Sequence, residues 1–223
     1  MNRFAEFILT TFMGRIVLFF IVAASVFAYG SIAKADIRVH RDRIDVSGTN
    51  PIYVIGDSIA VGIANANGID RAGNNRWRKG GKDPVVILRY IDNFIATGKA
   101  RGAVVILSSG ASNSTYERPN GTGRNIDITN IRKQIVRLKS AGSLVFLVGT
   151  GSGQSTWIHN RYGKYRVNFA SQNSNGRLAA LAREQDIVFL GPLENYGRLA
   201  DGIHPSGQGA RRIYWKVNEA LNP

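Results

Sequence analysis

At 223 residues with 44% hydrophobic content, the chain is long enough to bury one well-packed core, and nothing in its composition marks a second domain. It contains no cysteine, which excludes disulfides, thiolate nucleophiles and zinc-thiolate centres. Lys and Arg number 29 against 15 Asp and Glu, a formal net charge of +14 that favours polyanionic surroundings.

Met1 to Ala35 reads as an export segment. Arg3 and Arg15 precede an uncharged apolar run from Ile16 to Ala33, and the small-x-small sequence Ala33-Lys34-Ala35 places cleavage before Asp36. The run is at the lower limit for spanning a bilayer, so an uncleaved anchor is the alternative. Lys34, Arg38, Arg41 and Arg43 beyond it outnumber Arg3 and Arg15, which works against an anchor whose C-terminal side lies outside. Either way the remainder is expected to be exported, periplasmic or secreted, in a bacterial or phage setting, with membrane attachment only through this segment. Export argues against nucleic acid as the partner and leaves cell-wall polymers and acidic exopolysaccharide as the polyanions within reach. Asp36 to Asn50 alternates Ile37, Val39, Ile44 and Val46 with charge, a linker or edge strand in which His40 reads as a solvated residue.

From Pro51 the pattern changes. Ile52-Tyr53-Val54-Ile55 predicts a buried strand that breaks at Gly56-Asp57-Ser58, where a helical pattern begins. Free N–H groups and the helix dipole favour negative charge at such a start. Ser58 is therefore either the N-cap or a nucleophile whose oxyanion those N–H groups would hold. Further strands are predicted at Ala103 to Ser108, Leu144 to Gly149 and Ile187 to Leu190, with a weaker one near Ile69 to Ala72. Helices are predicted at Val85 to Ala96, Ile126 to Ser140, Val167 to Glu184 and Gly207 to Leu221. This alternation predicts an α/β fold, a doubly wound parallel sheet of about five strands with helices on both faces. Right-handed crossovers then bring the segments after the strands to one edge, where ligands bind in open α/β sheets.

Ser114 to Asn125 and Thr150 to Arg166 are predicted as long loops at that edge. The second carries Trp157 and Tyr162 among cations, and Trp77-Arg78-Lys79 runs into Gly80-Gly81. Aromatic faces interleaved with cations suit sugar rings on an anionic polymer, so Trp77, Trp157 and Tyr162 are candidate substrate-binding residues. The alternative is that they pin irregular loops to the domain. His159 reads as a loop residue without a catalytic task.

Toward the other end, Asp201-Gly202-Ile203-His204 sets a carboxylate three residues before a histidine, and of the three histidines only His204 has one at this spacing. With Asp201 on one ring nitrogen, the other can take the proton of Ser58, in an order compatible with a Ser-Asp-His triad. Gly56-Asp57-Ser58 together with Asp201-x-x-His204 resembles the SGNH, or GDSL, hydrolases, whose first block is G-D-S and whose last is D-x-x-H. The resemblance covers roughly Pro51 to Pro223. It implies a flavodoxin-like three-layer sheet, ester hydrolysis by Ser58, His204 and Asp201, and no cofactor or metal. It also implies an oxyanion hole built from the N–H of Ser58, the N–H of a glycine ahead of a helix, and an asparagine side chain after a strand. Gly81, with Gly80 as the alternative, fits the glycine. Asn113 fits the asparagine, one residue later than the family's G-x-N-D and without the Asp that follows there. The polar, aromatic loops favour a small acyl group such as acetyl, carried on a cell-wall or extracellular polysaccharide. O-acyl transfer by the same triad, or a non-enzymatic basic wall-binding or particle-surface module on this fold, are the alternatives.

Overall fold

The computed structural model describes residues 50–69, 77–80, 82–111, 126–151, 156–160, 163–167 and 173–222, all within the second of the chain's two units, His40–Pro223. Among the described residues six strands form: β1 (Ile52–Gly56), β2 (Val104–Ser108), β3 (Leu144–Val148), β4 (Thr156–Asn160), β5 (Gly163–Val167) and β6 (Val188–Leu190). The helices are α1 (Ser58–Ala66), α2 (Pro84–Ala96), α3 (Ile128–Ser140), α4 (Ser174–Glu184) and α5 (Gly207–Leu221), with a 3₁₀ turn at Leu193–Tyr196.

The runs richest in Val, Ile and Leu make one parallel sheet in the order β1-β2-β3-β6. Successive side chains of a strand point to opposite faces, and the chain uses both. Ile55, Val105, Leu107, Val145 and Leu147 pack with Ile87, Ile91 and Phe94 of α2, Ile131 and Ile135 of α3 and Leu178 of α4. Val54, Val104, Ile106, Phe146 and Val148 pack with Ile59 and Ile63 of α1 and Ile213 and Val217 of α5. Each fully buried aliphatic side chain of this kind stabilises the fold by about 1.5–3 kcal/mol, so the helices are held by these two cores on either side of the sheet. The result is the expected three-layer, doubly wound α/β arrangement.

Register decides where the site can form. Gly56 stands opposite Ser108, Ser108 opposite Val148, and Val148 opposite Leu190, so the C-terminal ends of four strands lie in one row. Beyond β1, a single parallel bridge joins Gly56 to Arg78 and the Lys79 N–H donates to the Gly56 carbonyl at 3.1 Å. The weaker strand expected near Ile69 to Ala72 is not a strand at Ile69, which lies in a turn; 70–72 fall outside the described residues.

Two expectations need correcting. The segment read as a loop from Thr150 to Arg166 contains the antiparallel hairpin β4-β5, with Trp157 opposite Arg166 and His159 opposite Lys164. The helix expected from Val167 begins only at Ser174, and Val167 is the last residue of β5. Among the described residues no helix is long and apolar enough to cross a membrane. The run Ile16 to Ala33, the stretch 36–49 and the loop 114–125 lie outside them.

Candidate active site

The turn after β1 is fixed by close contacts with the end of β2. Gly56 has φ +142°, and a Cβ placed on it would lie 1.8 Å from the Ser108 carbonyl oxygen, so no side chain fits between the two strand ends. Asp57 follows, fully buried, and its side chain rather than that of Ser58 caps α1. One carboxylate oxygen accepts from the Ile59 N–H at 3.1 Å and from the Ser108 hydroxyl at 2.8 Å; the other accepts from the Ala111 N–H at 3.3 Å. The Asp57 N–H donates to the Ser108 carbonyl at 3.1 Å. Asp57 thus ties the serine turn to the end of β2 and leaves the Ser58 hydroxyl free of capping. Burial raises its pKa to about 6, against the opposing pull of the Ser108, Ile59 and Ala111 hydrogen bonds and the charge of His204.

Sequence reasoning gave Asp57 no task. The signal was present: Asp is among the strongest N-cap residues, and it stands where the strand stops and the helix starts.

The second half of the site is the loop between the 3₁₀ turn and α5. Leu199 and Pro205 form an antiparallel bridge, and the Ala200 N–H donates to the His204 carbonyl at 2.8 Å, closing a short loop around Asp201 to His204. Asp201 organises that loop from within. It accepts from the Ile203 N–H at 3.0 Å and the His204 N–H at 2.8 Å through one oxygen, while its other oxygen lies 2.7 Å from His204 Nδ1. Partial burial pushes the Asp201 carboxyl upward, but these hydrogen bonds outweigh it and hold the group below its ordinary pKa. His204 Nε2 is then 2.8 Å from Ser58 Oγ, across 146 positions of sequence. In the tautomer that donates from Nδ1 to Asp201, Nε2 is the acceptor for the serine hydroxyl.

Gly80 lies alongside: a Cβ placed on it would sit 3.7 Å from the Ser58 Cβ. Gly81, Asn113 and Tyr162 lie outside the described residues, as does the side chain of Trp157, whose backbone is in β4. On the other side of the row, Asn175 pins the turn after β3, its amide accepting from the Thr150 N–H at 2.9 Å and donating to the Thr150 carbonyl at 3.0 Å.

Trp77 is not where the sequence suggested. It is 3% exposed, and its ring meets Tyr53 and Phe94 edge-on at centroid distances of 5.7 and 4.9 Å, in the core beneath β1. No face remains for a sugar, and the substrate-binding role expected for Trp77 is withdrawn. Flanking cations suggested an exposed ring, but only Lys79 of the two that follow it is exposed. Arg78 is itself buried, donating to the Val54 and Ile69 carbonyls at 3.3 Å each.

No protein-family model matches the sequence, and no curated protein does. Solved structures do match. An acetylxylan esterase, Axe2, from Geobacillus stearothermophilus, represented by a catalytic mutant, superposes with a TM-score of 0.54 at 13% identity, covering 79% of this chain and 95% of its own. TesA superposes at 0.50 with 17% identity, covering 78% and 99%. A candidate SGNH hydrolase from Slackia heliotrinireducens gives 0.50 at 14%, covering 78% and 100%. With the sheet order, the two-sided helix packing and these superpositions in agreement, the chain has the fold of the SGNH hydrolases.

Proposed function

We propose that this chain is a serine esterase of the SGNH type. The observation that carries the reading is the continuous line from Asp201 through His204 to Ser58, with contacts of 2.7 and 2.8 Å. Ser58 attacks the ester carbonyl while its proton passes to His204 Nε2. Asp201 holds the ring in the required tautomer and offsets the charge of the imidazolium. The tetrahedral oxyanion is met by N–H groups at the start of α1 and beside Gly80, the role expected of Ser58 and of Gly81 or Gly80, together with the amide of Asn113. His204 returns the proton to the departing alcohol, and water, activated by the same nitrogen, releases the acyl group.

The substrate proposed is a small acyl ester, acetyl above all, on a cell-wall or extracellular polysaccharide, and the chain is proposed to work outside the cytoplasm, delivered by its N-terminal segment. Support comes from the polar setting of the exposed Asp201 and the half-buried His204, and from the fold shared with an acetylxylan esterase.

Labelling with a fluorophosphonate, followed by peptide mapping, should place the adduct on Ser58 and on no other serine. Acetate release from acetylated xylan and from acetylated peptidoglycan tests the substrate class. No release from either, alongside good turnover of long-chain lipid esters, would overturn the carbohydrate assignment while leaving the nucleophile in place.

A further inference from the structure

The exposed cations of this domain differ in what they face. On α3, Arg132 donates to both oxygens of Glu184 at 2.8 and 2.7 Å, Arg137 pairs with Asp92, and Lys139 meets the Gln185 carbonyl. Two of that helix's four cations, Arg132 and Arg137, are thus paired with carboxylates, while Lys139 meets only a carbonyl and Lys133 is exposed. On α5 the outward face carries Arg211, Arg212, Trp215 and Lys216, all exposed. Lys216 pairs with Glu219 at 2.6 Å, whereas neither Arg211 nor Arg212 meets a carboxylate among the described residues; Arg212 has only the Tyr196 carbonyl at 3.4 Å.

Between these cations stands Trp215, 58% exposed, with Lys216 Nζ 5.3 Å from its ring centroid. Arg211 and Trp215, like Arg212 and Lys216, are four residues apart and therefore adjacent on the helix surface. The opposite side of α5 is locked: Gly209, Ala210, Ile213 and Val217 are buried, and Ser206 caps the first turn with a 3.2 Å bond from the Gly209 N–H. The backbone under the exposed face is ordered before any ligand arrives, which lowers the entropic cost of binding.

We propose that this face of α5 binds an acidic polysaccharide, with a sugar ring against Trp215 and carboxylates on the guanidinium groups of Arg211 and Arg212. An aromatic face offers a large rigid apolar contact, and a guanidinium matches a carboxylate through paired N–H donors. A lipid surface fits less well, because interfacial helices bury a continuous apolar stripe and Trp215 is the only exposed large hydrophobic residue among those described on α5. The site is independent of the esterase reading. It nevertheless adjoins that site in the chain, since α5 begins three residues after His204.

The test uses the full chain in affinity electrophoresis through gels containing polygalacturonate, with dextran as the neutral polymer and phosphatidylglycerol vesicles as the lipid arm. Retardation is expected in polygalacturonate and not in dextran. Trp215→Ala and the double variant Arg211→Gln/Arg212→Gln should each weaken binding by about tenfold, the scale of a central aromatic or arginine contact. Arg132→Gln/Arg137→Gln removes the same charge from α3 and should leave retardation unchanged, with thermal melting checking that every variant is folded. Equal loss from the α3 and α5 pairs would reduce the effect to general charge and overturn the proposal. So would wild-type retardation of Trp215→Ala, equal binding to dextran, or vesicle binding that Trp215→Ala abolishes while the polymer is ignored.

Discussion

Two aspartates flank the Ser58–His204 contact, and their surroundings push them in opposite directions. Asp57 accepts three hydrogen bonds and Asp201 receives bonds from two backbone N–H groups and a ring nitrogen, so the number of partners does not separate them. Exposure does. Asp57 is fully buried and its pKa is raised to about 6, while the Asp201 side chain is 52% exposed and its pKa is lowered. Loss of water outweighs the bonds in the first case and the bonds outweigh it in the second. The serine turn is thus a buried joint between two strands, and the histidine loop an exposed arm shaped by its own carboxylate.

The largest effect should come from the serine itself. Ser58→Ala should lower kcat/KM for p-nitrophenyl acetate by about 10⁴-fold or more, measured by steady-state hydrolysis. Asp201→Asn should cost about 10²- to 10⁴-fold, because the amide cannot hold the ring tautomer as the carboxylate does. If Asp57→Asn cost as much activity as Asp201→Asn, the division into joint and arm would fail.

Asp57 should instead be visible in stability. Its folded pKa of about 6 lies above the ordinary 3.8, so the folded state binds the extra proton between these values. The contribution is fully present below pH 3.8 and is lost as pH rises through 6, a change of about 3 kcal/mol. Asp57→Asn removes that titration, and denaturant melts across this window should show a flatter pH dependence than the wild type. The smallest effect belongs to the base of the arm: Ser206→Ala removes the cap of α5 and should cost about 1 kcal/mol, read as a drop in Tm of a few degrees.

Much of this was legible beforehand where one face or both faces of an element are buried. β1, β2, β3 and β6 are short apolar runs, and α5 has the bounds expected from its periodicity, since Ile213 and Val217 have to face the sheet. The pairing of Ser58 with Asp201 and His204 followed from spacing and composition, because few histidines were there to choose from. The hairpin β4-β5 was missed because its residues, Thr156-Trp157-Ile158-His159-Asn160 and Gly163-Lys164-Tyr165-Arg166-Val167, belong to no apolar run and form a sheet of their own. Trp77 was misplaced because its burial depends on Tyr53 and Phe94, which are distant in sequence. Ser58, open as cap or nucleophile in the sequence, and Asp57 are both residue types that cap well, and the contacts of Asp57 with the Ile59 N–H and, across 51 positions, with Ser108 separate them.

The row formed by Gly56, Ser108, Val148 and Leu190 sets the distances at which the chain leaves the sheet. Neighbouring strands are spaced by about 4.8 Å, so whatever follows β2 is launched about 5 Å from the serine turn and whatever follows β3 about 10 Å from it. Those launch points belong to the sheet, and the first residues past them are held as well, Ala111 by Asp57 and Thr150 by Asn175. A change in length or chemistry of the chain beyond Ala111 or beyond Gly151 would therefore alter what surrounds Ser58 without moving the turn that carries it.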